Sequence, residues 1–193
     1  MRENYQITDT TGKVHWISRA SAVAGLITGK KNGKYYVLLE QRGPGCPDNI
    51  GKWCAVCGYL NWGETRKDAV MRECYEETGY RPDPGKVIEL QTIDDPERDP
   101  RENIVTRYIM LGNIDEIGLA LAHEDINKFT EKRGGEPNEV SRIVLFSLDE
   151  IEAMNPDDFA FNHKDMIFEI IKEYEMKTLT GKIKWFIKDI FNK

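Results

Sequence analysis

A chain of 193 residues, 40% hydrophobic and 31% charged, has the balance of a soluble globular protein with room for one sizeable core and a small appendage. Its net charge of -6 comes without any long Lys/Arg run, which excludes a surface built to follow a polyphosphate backbone, so no nucleic-acid polymer is expected as a partner. The opening MRENYQITDT lacks the apolar core of a signal peptide, and no apolar run reaches the roughly 18 residues needed to span a membrane, so the cytoplasm is the expected location.

In chain order, SAVAGLITG (21 to 29) and KYYVLLEQR (34 to 42) are rich in β-formers, and the intervening KKNG supplies turn residues, which together predict a hairpin. The Gly- and Pro-containing stretch GPGCPDNIG (43 to 51) reads as a loop at the rim of a site. A strand is expected from Trp53 to Leu60. Residues 65 to 78 contain no Gly or Pro, begin at a Thr that can cap and stop at Gly79, which predicts a helix. Strands follow at 86 to 95 and 103 to 111, joined through PERDPRE, then a polar stretch (112 to 138) and a strand at 140 to 146. Ser147 and Glu150 form a capping box that opens a short helix, and 163 to 176 make another. No internal repeat is visible.

Four cysteines raise the question of a metal cluster, since Cys54 and Cys57 stand in a C-x-x-C spacing. On a strand, residues three apart point to opposite faces, so these thiols are expected not to converge and to be small buried groups in a reducing compartment.

The segment GYLNWGETRKDAVMRECYEETGY (58 to 80) carries three glutamates within five residues of its helix. At roughly 100° per residue, Glu73, Glu76 and Glu77 fall within about a third of a turn and share one face. Their mutual repulsion is relieved either by solvent, on an ordinary acidic surface, or by a hard divalent cation; oxygen-only ligands favour Mg2+ or Mn2+ over zinc. Spacing alone leaves both readings open.

The same segment resembles the signature of the Nudix hydrolases, G-x5-E-x7-R-E-U-x-E-E-x-G-U with U a bulky apolar residue. Gly58, Glu64, Arg72, Glu73, Glu76, Glu77 and Gly79 occupy its fixed positions, and Cys74 and Tyr80 stand at the U positions as soft departures. The wider likeness, including LLEQR before the box and GKW leading into it, covers most of 20 to 150. The resemblance implies a Nudix-type α/β/α sandwich with a mixed β-sheet, a divalent metal (Mg2+ or Mn2+), and hydrolysis of a pyrophosphate bond in a nucleoside diphosphate joined to another group or in a nucleoside triphosphate. It further implies that Arg72 ties Glu64 to the helix and that Glu73, Glu76 and Glu77 bind metal. Glu73 or a loop glutamate outside the box would be the general base, and Glu139, with Glu136 as its competitor, would be an additional ligand. Gly58 is expected to let the chain turn from strand into loop.

Arg42, Trp53 and Tyr59, with Trp62 beside them, are candidates for contact with a nucleotide, against the alternative that the aromatics fill core. A proline about fifteen residues after the box glycine accompanies ADP-ribose cleavage in the family; here Pro96 lies seventeen after Gly79, so the substrate stays open. Rival readings are a non-catalytic Nudix-type sensor of nucleotide or ADP-ribose and an isopentenyl diphosphate isomerase; the intact box favours the hydrolase. The hydrolase domain is assigned to 1 to 176. The tail GKIKWFIKDIFNK places Ile183, Phe186, Ile187, Ile190 and Phe191 at helical spacing. An amphipathic helix over 177 to 193 is therefore expected to pack on the domain or on a second copy in a homodimer rather than on a membrane.

Overall fold

The computed structural model describes residues 3–98, 101–120 and 133–178. Its centre is β3 (Ser21–Lys31), an eleven-residue strand whose side chains are buried from Ala22 to Gly29 on both faces, as its nearly unbroken apolar run requires. A turn at Asn32 and Gly33, both with positive φ (52° and 77°), returns the chain into β4 (Lys34–Arg42), antiparallel to β3, so the expected hairpin is present. β7 (Val87–Ile93) and β8 (Ile104–Leu111) pair antiparallel, and β8 lies parallel to β3, which makes the sheet mixed. β9 (Val140–Ser147) pairs with the other edge of β4. The seven-stranded sheet carries α1 (Arg66–Thr78) and α2 (Ile114–Ala120) against one core, and α4 (His163–Lys177) against the other, with α3 (Leu148–Ala153) following β9. This is the expected α/β/α sandwich.

Strand parity divides the core. Val23 and Ile27 of β3 face α1 and its Ala69, Val70 and Cys74, whereas Ala24 and Leu26 face α4 and its Met166, Ile167 and Ile170. Burying each such aliphatic side chain contributes about 1.5–3 kcal/mol. At Gly25 a Cβ would collide with Val70 and Met110, so the missing side chain lets α1 settle close to the sheet.

Three local readings differ from expectation. The strand expected from Trp53 to Leu60 is broken at Ala55 into β5 (Trp53–Cys54), which pairs with β4, and β6 (Val56–Tyr59), which crosses to β3. The break removes the simple alternation on which the separation of Cys54 from Cys57 rested; the two thiols adjoin, and Cys57 is the largest influence raising the Cys54 thiol. An exposed hairpin of β1 (Tyr5–Thr8) and β2 (Val14–Ile17) and the helix α2 were not anticipated. Among the described residues no helix is long and apolar enough to cross a membrane. The amphipathic stripe expected at 183 to 191 lies outside the described residues.

Candidate active site

α1 starts at Thr65, whose side chain accepts from Asp68 N–H while Asp68 accepts from Thr65 N–H, and ends at Gly79 in the left-handed conformation (φ 74°). Both ends agree with the sequence reading, and they fix which residues of the helix look toward the sheet. Arg72 is the hub. Its Nε and Nη2 donate to Glu64 Oε2 and Oε1 at 3.0 and 2.8 Å, the two-pronged geometry in which guanidinium and carboxylate interact most strongly. Nη1 lies 2.8 Å from Glu73 and 2.9 Å from Glu76, and Nη2 also donates to the Tyr59 carbonyl at 3.0 Å. One side chain thus ties the box loop, the end of β6 and two glutamates of α1 together.

Gly58 corrects the sequence reading. It sits inside β6 opposite Val23, without positive φ, and a Cβ there would run into the Glu73 carboxylate. Its function is close approach, not a turn.

The acidic face is largely withdrawn from water. Glu77 is 1% exposed and its Oε2 accepts the Cys57 N–H at 3.3 Å; burial, then the charge of Glu40, pushes its carboxyl well above the usual range. Burial raises Glu73 to about 7 despite the neighbouring Arg72. Glu139, at the start of β9, is raised by burial as well and lines the adjoining cavity, whereas Glu136 is exposed. Glu40 was not singled out from the sequence. It lies on β4 opposite Cys54, 2% exposed, with Oε1 accepting the Cys54 thiol at 3.2 Å and Oε2 without a partner; burial raises it to about 8. The signal available was a charged residue inside the apolar run VLLEQ. Among the described residues no three His, Cys, Asp or Glu side chains already converge on one point, and Arg72 bonds two of the candidates.

Beside the box, between the sheet and the start of α4, lies a cavity of about 200 Å³. Arg42, Tyr59, Arg101, Arg107, Glu139 and Phe161 stand on its wall. Arg42, 8% exposed, donates from Nε to the Asp48 carbonyl at 3.1 Å, and Arg101 pairs with the Asp48 carboxylate at 2.5 Å. Both guanidiniums lie over the Phe161 ring, 5.4 and 4.8 Å from its centroid. Arg107 and Arg98 share Glu169 of α4. His163 is buried and held neutral, its pKa lowered to about 3 by burial and then by Arg107 and Arg42; its Nδ1 accepts the Ala55 N–H at 3.2 Å. Of the nucleotide-contact candidates, Arg42 and Tyr59 are on this wall. Trp53 is not: it stacks edge-on against Phe146 at 5.0 Å, because β5 turns that side chain toward β9. Trp62 is 98% exposed and away from the wall.

The mixed sheet with its capped, arginine-clamped glutamate helix defines a Nudix-type fold, and a family model described as NUDIX domain matches residues 18–170. The chain belongs to the Nudix family. It is 30% identical over 162 residues to an ADP-ribose pyrophosphatase of Methanocaldococcus jannaschii, covering 82% of this chain and 75% of that protein. Its fold is similar to a MutT/nudix family protein from Enterococcus faecalis (TM-score 0.62, 18% identity, 88% of this chain and 68% of that one). It is also similar to the NUDIX domain of Shewanella oneidensis NrtR, solved as a complex with ADP ribose (TM-score 0.58, 19% identity, 83% and 89% covered).

Proposed function

We propose that the protein is a divalent-metal-dependent pyrophosphohydrolase acting on a nucleoside diphosphate joined to another group, with ADP-ribose the first candidate. The observation that carries this reading is the placement of the box glutamates, Glu77 buried and Glu73 and Glu76 half-buried, beside an arginine-lined cavity that also offers aromatic rings. Four guanidiniums, those of Arg42, Arg98, Arg101 and Arg107, suit a pyrophosphate, and Tyr59 and Phe161 offer surfaces to a base or sugar. The relative from Methanocaldococcus jannaschii supports ADP-ribose as the member of this substrate class to try first.

The donor set fits Mg2+ or Mn2+. Glu73, Glu76, Glu77 and Glu139 offer only hard oxygens, and among the described residues Glu77 has no cationic side chain bonded to it. Such an ion, when bound, neutralises pyrophosphate charge and makes an attacking water more acidic. In this reading Arg72 orients Glu64 and keeps the loop and α1 in register, while Glu73 or Glu139 accepts a proton from water at the mouth of the cavity. Arg42 and Arg101, already fixed by Asp48, meet the phosphates without reordering. Four free thiols, Cys46, Cys54, Cys57 and Cys74, suit a reducing compartment such as the cytoplasm. The apolar stripe of 183 to 191 is assigned to packing on the domain or on a second copy, and the net charge of -6 argues against a nucleic-acid polymer as partner.

The test is purified protein with Mg2+ or Mn2+ against ADP-ribose, nucleotide sugars, dinucleoside polyphosphates and nucleoside triphosphates, with products separated by chromatography. The expected result is AMP and ribose 5-phosphate from ADP-ribose and water. Absence of metal-dependent product from every compound would overturn the reading and leave a binding function.

A further inference from the structure

Arg72 supplies a cationic partner to Glu64, Glu73 and Glu76, but among the described residues the two most deeply buried carboxyl groups of the site receive none. Glu40 on β4 and Glu77 on α1 adjoin across the gap between sheet and helix. Among the described residues the hydrogen bonds to them come from neutral groups: the Cys54 thiol donates to Glu40 Oε1 at 3.2 Å and the Cys57 N–H to Glu77 Oε2 at 3.3 Å, and the Glu77 carboxyl itself acts on that of Glu40. Glu40 Oε2 is buried with no hydrogen-bond partner among the described residues. An unpaired carboxylate oxygen at such depth is strongly unfavourable in a folded protein unless something binds it. Two adjoining carboxyls with a free oxygen are what a hard cation requires, and Glu40 brings its oxygen from the sheet while the box residues bring theirs from the helix.

We propose that Glu40 is a further metal-ligating residue, holding a divalent cation together with Glu77 from the opposite side of the site. The consequence is a cation gripped between β4 and α1 instead of resting on one helix face, so that metal binding locks helix to sheet. The pairing is set by fold and not by the box: β4 pairs with β3 and with β5, which puts Glu40 opposite Cys54, while α1 packs on β3 and β6. This inference rests on the metal-dependent reading above.

The experiment is Mn2+ binding, measured by electron paramagnetic resonance and by calorimetry, on the full chain and on Glu40→Gln, with melting of the chelated proteins alongside. Glu40→Gln is expected to bind Mn2+ at least tenfold more weakly. Without metal it should melt no lower than the parent chain at neutral to alkaline pH, because an unpaired buried acid has become an amide of the same shape. Glu40→Asp, which keeps the charge but withdraws it by one methylene, is expected to weaken Mn2+ binding too, and it serves if Glu40→Gln does not fold. Unchanged Mn2+ affinity in a folded variant would overturn the proposal, since a purely structural Glu40 would alter melting and not affinity. A parent chain that binds no Mn2+ would sink the hydrolase reading itself, and the ligand assignment with it.

Discussion

Arg72 and Glu64, eight residues apart, meet through two parallel hydrogen bonds of 3.0 and 2.8 Å that close the box loop onto α1. The pair is mostly shielded, with side-chain exposures of 25% and 15%, so it is stronger than a surface ion pair. Arg72→Lys keeps the charge but loses the fork, and with it the bonds that also reach Glu76 and the Tyr59 carbonyl. The expected outcome is a loss of roughly 1–3 kcal/mol in denaturant unfolding and a turnover reduced about tenfold or more. Parent-like stability and rate in this variant would show that the loop holds its place without the fork.

Glu77→Gln preserves side-chain shape and its contact with the Cys57 N–H while removing one charge. If Glu77 binds metal, turnover falls at least about a hundredfold with the circular dichroism spectrum unchanged. Glu76→Gln is expected to behave likewise. Full activity of either variant at limiting metal would remove that residue from the ligand set.

Burial raises Glu73 to about 7 and Glu40 to about 8, from an ordinary value of 4.5. A carboxyl whose folded pKa lies above its unfolded one binds more protons folded than unfolded, so its stabilising effect is complete below the unfolded value and is lost as pH rises through the folded one. The chelated protein should therefore melt highest in mild acid and lose on the order of a few kcal/mol between about pH 4.5 and 8. If these carboxyls bind metal, Mg2+ or Mn2+ is expected to reverse the trend by pairing the ionised forms, so that the metal-induced rise in melting temperature grows with pH. A melting temperature that climbs toward pH 8 in chelator would contradict this assignment.

What was legible in the sequence is what local chemistry decides. Thr65 and Gly79 bound α1 through their own side chain and φ, and Asn32 with Gly33 turns β3 into β4 by positive φ alone. The arginine-glutamate clamp was legible from its resemblance to the family's box, and the geometry agrees. Non-local relations were not legible. Glu40 comes beside Glu77 because β4 pairs with β3, on which α1 packs, a placement that no spacing within VLLEQ encodes. Trp53 points toward β9 and away from the cavity because the strand expected to run through it breaks at Ala55 and its two halves pair with different neighbours. Arg101 and Phe161, sixty positions apart in the chain, come together only when the loop before α4 closes the cavity.

Phe161 carries the last prediction. It holds φ at 54°, in the left-handed region where a bulky residue is strained, and its ring faces the cavity with Arg42 and Arg101 beside it. Such a constrained aromatic suits stacking on a substrate ring, an interaction of about 1–3 kcal/mol in nucleotide-binding sites. Phe161→Ala should raise KM for the substrate by about tenfold or more. The maximal rate should move much less, since the ring offers no group that could bind metal or take a proton. Phe161→Tyr keeps the ring and is expected to keep KM. Steady-state kinetics on the three proteins decide the matter: an unchanged KM in Phe161→Ala, or a loss confined to kcat, would mean that the ring only props Arg42 and Arg101 and makes no contact with the substrate.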